Sequence, residues 1–152
     1  MGSDLVTMKY QDALDFLFPR TTQIKFGLDT TRALLDVLGN PQRQYATIHV
    51  AGTNGKGSTA SLIAEALGAA GFRVGLYTSP HLVSFRERIR VDGTPISEAA
   101  VAAWTALLQP TIVASGATFF EATTAIAFAD FAARERGLML VNQLIDLVQI
   151  QL

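Results

Sequence analysis

The residues whose types and spacing are most typical of a binding or catalytic site lie in one glycine-rich segment, residues 52–59. Its members are Gly52, Thr53, Asn54, Gly55, Lys56, Gly57, Ser58 and Thr59. Glycines lack the Cβ atom that would hold a phosphate away from the backbone, and a lysine adds positive charge for the β- and γ-phosphates. The hydroxyls of Ser58 and Thr59 suit phosphate oxygens or Mg²⁺. The segment therefore predicts an ATP-binding loop, with Lys56 as its catalytic, phosphate-contacting residue.

The sequence on both sides of this loop predicts the elements that would position it. Residues 45–51 form a short apolar run with β-branched members, which is typical of a buried strand. Residues 58–70 carry an apolar stripe at helical spacing and end before a glycine, which indicates a helix. Residues 73–78 predict a second strand. A strand, loop, helix and parallel strand in this order require a right-handed crossover, with the loop at the start of the helix.

The loop differs from the common phosphate-loop pattern. That pattern has four residues between its glycines and a hydroxyl residue directly after the lysine. Here two residues separate Gly52 from Gly55, and Gly57 stands between Lys56 and Ser58. Three glycines in six residues also suit a plain turn, and hydroxyl residues at this place also suit helix capping. Both alternatives stay open.

Further elements are predicted around this unit. Apolar spacing and capping residues predict helices over residues 8–18, from Asp29 or Thr30 onward, from Ser97 to about residue 108, and over residues 118–136. Residues 88–97 predict a hairpin, because Asp92-Gly93 suits a type I′ turn. We expect a loop over residues 110–117. The apolar residues 138–152 fit either a strand or a helix.

Composition narrows the class of protein. The chain has 152 residues, of which 49% are hydrophobic and 16% charged, and this is enough for one globular domain with a core. Its net charge of -1 gives no electrostatic reason to expect nucleic acid or a membrane surface as partner. The lack of cysteine excludes disulfides and thiolate metal sites and fits a cytoplasmic protein. No secretory signal or run of about 18 apolar residues is visible.

Residues 49–59, with the sequence His-Val-Ala-Gly-Thr-Asn-Gly-Lys-Gly-Ser-Thr, resemble the folylpolyglutamate synthase and dihydrofolate synthase family. That family belongs to the Mur-ligase-like ATP-dependent amide ligases. Four further segments agree in the same order, namely residues 38–41, 77–82, 85–89 and 118–121. The resemblance covers roughly residues 8–136. It implies an α/β fold, a P-loop-type three-layer domain with a mostly parallel sheet.

The chemistry that the resemblance implies is amide formation. ATP would phosphorylate a carboxylate of a folate or dihydropteroate, which gives an acyl phosphate with a good leaving group. The amine of L-glutamate would then attack the acyl carbon. ATP and Mg²⁺ are the implied cofactors, and the protein would mainly position phosphates and neutralise charge.

The resemblance also implies residues for metal and substrate. Ser79 resembles the serine ligand to Mg²⁺, with Ser58 as a second hydroxyl. The implied folate or pterin pocket consists of Ile24, Lys25, Phe26, Gly27, Thr118, Phe119, Phe120 and Glu121. Three structural alternatives stay open: a turn serine at Ser79, a buried loop phenylalanine at Phe26, and a helix-start glutamate at Glu121.

Other polar and aromatic residues receive structural interpretations. We assign no catalytic role to His49 or His81. Trp104 lies among alanines and leucines, so core packing is expected. The charged residues 86–90 predict a solvated face of the hairpin, with Arg86 and Arg88 nearest the substrate loop by chain order alone.

Residues 137–152 depart from the family pattern. The family continues with a strand ending in an acidic Mg²⁺ ligand, then Val-Gly and a Gly-Gly pair, and Asp146 does not stand in that context. The resemblance therefore implies two parts: residues 1–136, the N-terminal part of a Mur-ligase-like ATP-binding central domain, and residues 137–152, an atypical apolar tail. Such a truncated form would lack central strands and a second domain. It would self-associate through unpaired sheet edges.

Three functions are consistent with this sequence. The first is an ATP-dependent amide ligase of folate metabolism, inactive in this truncated form alone. The second is a non-catalytic remnant that binds nucleotide phosphates. The third is a small P-loop kinase or transferase, against which the folate-type segments argue.

Overall fold

The structure is a computed structural model, and it describes residues 7–22, 27–134 and 139–143. One sheet of five strands organises this part of the chain, in the order β1-β5-β2-β3-β4. The strands are β1 (Thr47–Val50), β2 (Val74–Tyr77), β3 (Ile89–Val91), β4 (Thr94–Pro95) and β5 (Met139–Gln143). Strand β5 pairs in parallel with both β1 and β2, whereas β2–β3 and β3–β4 are antiparallel.

Five α-helices surround the sheet. They are α1 (Tyr10–Leu17), α2 (Asp29–Val37), α3 (Lys56–Ala69), α4 (Glu98–Ser115) and α5 (Phe119–Ala133). Helix α3 packs on one face with apolar residues of β1 and β2. Helix α5 lies on the other face, and α1, α2 and α4 pack with it in a larger core. No helix in the described ranges has the length and apolarity that a membrane crossing requires.

Strand β2 is buried along its whole length because both faces of the sheet are covered around it. Alternate side chains of a strand point to opposite faces. Val74 and Leu76 join the α3 side, and Tyr77 joins the α5 side. The Tyr77 hydroxyl lies 2.9 Å from Oγ1 of Thr123 on α5, and burial raises the pKa of this phenol. The hydrogen bond fixes β2 against α5.

Helix α4 contradicts the predicted loop over residues 110–117. It runs to Ser115 with Pro110 inside it and ends at Gly116, whose φ of 63° is left-handed. A proline inside a helix removes a backbone hydrogen bond and costs about 3 kcal/mol. Leu108 and Ile112, one turn apart around this proline, are both fully buried. Their burial offsets the cost and carries the helix through the proline.

Several other predictions are confirmed with small shifts. The strand, loop, helix and strand unit is present, with α3 starting at Lys56 rather than Ser58. Asp92 and Gly93 have φ of 48° and 77°, as a type I′ turn requires. Helix α2 starts at Asp29, with Leu28 rather than Asp29 or Thr30 as its N-cap. The ambiguous apolar segment contains a strand, β5, which fills the position between β1 and β2.

Candidate phosphate-binding site

The glycine-rich loop leaves the end of β1 and enters α3 directly. Gly52 has φ of 151° and Gly55 has φ of 72°, and Gly55 is the N-cap of α3. Residues with a Cβ atom rarely adopt positive φ, so glycine allows this path without strain. Residues 51–55 are exposed. The loop is therefore open to solvent at the start of the helix.

The first turn of α3 has no side-chain cap and no acidic residue. The first backbone N–H groups of any α-helix have no partner within the helix, and the helix dipole makes this end positive. The N–H of Thr59 donates to the carbonyl oxygen of Gly55 at 2.9 Å, which begins the helical ladder. The N–H groups before it are available to an anion. This geometry is that of a phosphate-binding helix start.

Lys56 lies over the same loop. Its Nζ donates a hydrogen bond to the carbonyl oxygen of Gly52. A Cβ atom added to Gly52 would stand 3.9 Å from Cγ of Lys56. The ammonium group is thus folded across the loop rather than extended into solvent. A bound phosphate at the helix start would lie within reach of this charge.

Ser79 reaches the same edge of the sheet from a different strand. It follows β2, and it is 6% exposed. Strands β1 and β2 both pair in parallel with β5, so their carboxyl ends lie on one edge about 10 Å apart, or two strand spacings. Ligands of open α/β sheets bind at this edge. The glycine-rich loop and Ser79 therefore face one region.

The residues present fit Mg²⁺ only in combination with phosphate. In the described part of the chain, no three His, Cys, Asp or Glu side chains converge. Protein-bound Mg²⁺ usually takes one or two carboxylates, waters and phosphate oxygens. Ser58 is exposed and Ser79 is buried, and each offers a hydroxyl oxygen. These hydroxyls suit an ion that a nucleotide carries rather than a free-standing metal site.

An aromatic cluster lies beside this edge, at the start of α5. The Phe119 ring stacks on the Phe18 ring with centroids 5.4 Å apart and planes at 20°. Phe85 meets Phe119 edge to face at 6.1 Å, and His81 lies 6.1 Å from Phe18. Of the predicted pocket residues, Phe119 is therefore joined to the loop after β2. Phe18, Phe85 and His81 join it without having been predicted as site residues.

Glu121 has a structural task at the start of α5. Its Oε2 accepts hydrogen bonds from the Thr118 backbone N–H at 2.8 Å and from Thr118 Oγ1 at 2.9 Å. Thr118 Oγ1 in turn accepts from the Glu121 N–H at 3.2 Å. This reciprocal pair is a capping box. The geometry matches the helix-start alternative, and both residues are buried.

Arg88 shows that the predicted solvated face of the hairpin is wrong. It is half-buried, and its guanidinium carbon lies 5.1 Å from the centre of the Phe119 ring. Its Nε donates to Nδ1 of His81 at 2.7 Å. Burial lowers the pKa of Arg88, and burial followed by the charge of Arg88 lowers the pKa of His81. A neutral imidazole can accept this hydrogen bond at Nδ1.

Glu87 also holds a loop, although its carboxylate is accessible to solvent. Its carboxylate accepts hydrogen bonds from the backbone N–H groups of Leu82, Val83 and Ser84 at 2.7 to 3.1 Å. These bonds, that from Leu82 first, lower the pKa of the Glu87 carboxyl. Arg86 likewise donates from Nε to the Ile96 carbonyl oxygen at 2.6 Å. The charged residues after Ser84 hold loops together.

The remaining predicted site residues are distributed unevenly. Ile24, Lys25 and Phe26 lie outside the described residues. Gly27 is exposed, with φ of 103°, just before α2. Phe120 is half-buried against the larger core.

A cavity of about 590 Å³ lies away from all of these residues. It is bounded by α3 from Ser61 onward, by Phe72 and by the hairpin residues Arg90, Asp92 and Gly93. These residues stand near the amino end of β2, opposite the glycine-rich loop. The glycine-rich loop and Ser79 lie instead at the carboxyl ends of β1 and β2.

The structure is that of an α/β protein whose glycine-rich loop starts a helix at the carboxyl end of a parallel strand. No protein-family profile matches the chain. It is 45% identical over 126 residues to a probable bifunctional folylpolyglutamate synthase/dihydropteroate synthase of Haloferax volcanii, covering 79% of this chain and 15% of that one. It is 42% identical over 133 residues to the dihydrofolate synthase/folylpolyglutamate synthase of Bacillus subtilis, covering 81% and 30%.

Solved structures agree with these relatives. A structure described as an FPGS-AMPPCP-folate complex superposes with a TM-score of 0.78 at 36% identity, covering 89% of this chain and 35% of that chain. The chain therefore belongs to the folylpolyglutamate synthase and dihydrofolate synthase family, of which it matches the N-terminal part. It spans only 15% to 30% of the length of the two curated relatives.

Proposed function

We propose that this chain provides the ATP-phosphate-binding part of an amide ligase of folate metabolism, which adds L-glutamate to a folate or dihydropteroate. The observation that carries the proposal is the uncapped start of α3, with Lys56 folded over the loop. Family membership and the structure complexed with AMPPCP and folate support the substrates. All three, ATP, folate and L-glutamate, are proposed here as substrates or partners of this chain.

In the proposed reaction, a carboxylate oxygen of the folate substrate attacks the γ-phosphorus of ATP, and ADP leaves. The acyl phosphate that results is attacked at its carbonyl carbon by the amine of L-glutamate, and phosphate leaves with the bonding electrons. Lys56 and the N–H groups at the start of α3 neutralise charge that develops on the phosphate oxygens. Mg²⁺, held by Ser79 and Ser58 together with the phosphates, would supply further positive charge.

The aromatic cluster is the proposed place for the flat ring of the substrate. Phe119 lies at the start of α5, stacked on Phe18, and Phe120 follows it. Phe119 is 7% exposed and Phe18 is 37% exposed, so the Phe18 ring offers the more accessible face for a planar heterocycle. The guanidinium of Arg88 over Phe119 adds positive charge to the region. Thr118 and Glu121 shape this helix start. The segment 24–27 is proposed as the second wall of the pocket.

The proposed architecture is a P-loop-type three-layer domain, which corresponds to part of the length of the relatives. Residues 1–136 are its family-like part, and residues 137–152 are a tail whose sequence departs from the family although residues 139–143 pair within the sheet. Strand β1 has a partner on one side only among the described residues. An unpaired edge favours self-association of copies. Consumption of ATP fits a cytoplasmic location.

A second candidate function is binding of nucleotide phosphates without turnover. It requires only the uncapped start of α3 and Lys56, without a bound acid or amine substrate. The two functions differ in what the chain releases when substrates are supplied.

The test measures ADP release by the chain with MgATP, pteroic acid and L-glutamate, each omitted in turn. Ligase activity requires ADP release that depends on both the acid and glutamate. ATP binding without release would assign the binding function to this chain. Release in the absence of both acceptors would identify a hydrolase or kinase and contradict the ligase proposal. The matched control is Lys56→Met, which should abolish release without changing the unfolding temperature.

A further inference from the structure

Arg88 touches both halves of the candidate site. It ends the short 3-10 turn Phe85–Arg88 that precedes β3. Its Nε donates to Nδ1 of His81 at 2.7 Å, and His81 lies on the loop that carries Ser79. Its guanidinium stands over the ring of Phe119 at 5.1 Å, at the start of α5. The Arg88 side chain therefore connects the loop that carries Ser79 with the aromatic cluster.

The backbone of Arg88 adds to this connection. Its carbonyl oxygen accepts a hydrogen bond from the N–H of Thr78 at 2.9 Å, directly before Ser79. The far end of the same loop is held by the Glu87 carboxylate through three backbone N–H groups. Leu82 and Val83, whose N–H groups donate two of these bonds, are 93% and 91% exposed. Apolar packing does not fix this tip, so polar contacts must do so.

We propose that Arg88 is a positioning residue that holds the Ser79–His81 loop against Phe119 and thereby fixes Ser79 relative to the ring pocket. The identity of what binds on each side rests on the proposed function, but the positioning itself does not. A guanidinium can lie flat on a ring and donate in its own plane at the same time, which an ammonium cannot. The structure thus assigns to arginine a task that lysine would not perform.

The direct test uses the two histidines of the chain, His49 and His81, as NMR probes. In Arg88→Met the ring signals of His81 should move toward those of an unstructured histidine, because the ring loses its anchor beside Phe18 and Phe85. His49, an exposed residue of β1, should keep its signals. Arg90→Met, a charge-matched control two residues away, should move neither. Arg88→Lys should resemble Arg88→Met.

Unchanged His81 signals in Arg88→Met would overturn the proposal, and so would full restoration by Arg88→Lys. Equal movement of His49 would also overturn it, because it would show a general loss of structure rather than a released loop. Circular dichroism confirms that each variant is folded before it is compared.

A second measurement asks what the positioning does for ligands. In the unaltered chain, MgATP should raise the affinity for pteroic acid by about fivefold or more, as coupled sites typically do. Arg88→Met should abolish this coupling, and coupling that survives the substitution would contradict the role. If the unaltered chain binds neither probe, the proposed function fails, and the His81 signals still decide the role of Arg88.

Discussion

The starts of helices α3 and α5 are built from different residues and differ in how their backbone N–H groups are satisfied. At α5, Thr118 and Glu121 satisfy each other in a capping box, and the helix start is buried. At α3, the N-cap is Gly55, no side chain caps the turn, and the residues around it are exposed. The start of α5 is closed by its own side chains. The start of α3 is left open to an anion.

The bodies of the two helices differ in the same way. Twelve of the fifteen residues of α5 are buried, whereas Ala60 is the one buried residue of α3. A helix that is apolar on all sides belongs in a core. Helix α5 therefore stabilises the domain, and we propose that the start of α3 contributes to ligand binding. Substitutions in α5 should change stability, and substitutions at the start of α3 should change affinity.

The largest effect is expected from removing a ring in α5. Phe131 is fully buried, so Phe131→Ala should lower the free energy of unfolding by about 3 to 5 kcal/mol through lost burial and a cavity. Leu62 on α3 is 71% exposed, and Leu62→Ala should change the free energy of unfolding by less than about 0.5 kcal/mol. Urea denaturation measures both. Similar losses of unfolding free energy in both variants would contradict the different roles of the two helices.

Removing the loop lysine should change affinity without changing stability. Lys56→Met removes a charged donor to phosphate, which typically contributes about 1.5 to 3 kcal/mol, or roughly 10- to 100-fold in affinity. Lys9→Met, at the exposed start of α1, serves as the charge-matched control and should leave affinity unchanged. Calorimetric titration with MgATP gives the answer. Equal affinity of both variants would remove Lys56 from the site.

Replacing two glycines by alanine, Gly55 at the N-cap of α3 and Gly68 inside the helix, should change the free energy of unfolding with opposite signs. Gly55 has positive φ, so Gly55→Ala should destabilise by about 1 to 2 kcal/mol through backbone strain. Gly68 is helical with open space around its Cα, and Gly68→Ala should stabilise by up to about 1 kcal/mol. Thermal unfolding compares them. A stabilising Gly55→Ala would show that the loop does not need its left-handed residue.

The smallest effect concerns the capping box of α5. Thr118→Ala leaves the Glu121 N–H without its acceptor and should cost about 1 kcal/mol, within the range of lost N-caps. Thr59→Ala, in the exposed first turn of α3, should be neutral or slightly stabilising. The midpoints of urea denaturation compare the two variants, provided that the slope of the unfolding free energy against urea concentration is the same in both. A larger loss at Thr59 would mean that α3 is capped by its own side chain after all.

Local sequence patterns were sufficient for the parts of the fold that depend on neighbouring residues. The loop between β1 and α3 follows from glycine spacing, and the turn at Asp92-Gly93 follows from two residues that tolerate positive φ. The helix-start alternative for Glu121 was visible because its capping partner is three residues away. Each of these features is decided within a few positions of the chain.

Features decided by distant contacts were missed. The passage of α4 through Pro110 depends on buried packing of Leu108 and Ile112 against the core, which outweighs the local preference. Arg88 lay in a run of charges typical of a solvated face, and only its contacts with His81 and Phe119 distinguish it. The apolar segment of β5 was ambiguous because periodicity does not separate a short buried strand from a helix.

Above all, we propose that the open start of α3 holds nucleotide phosphates. The most direct test of this claim is the amide NMR spectrum of the ¹⁵N-labelled chain during titration with MgATP. We expect the largest shifts at the amides of residues 52–59, smaller shifts after β2 near Ser79, and none at the start of α5 before any acid substrate is added. Unchanged amides at residues 52–59 with MgATP at millimolar concentration would contradict the claim.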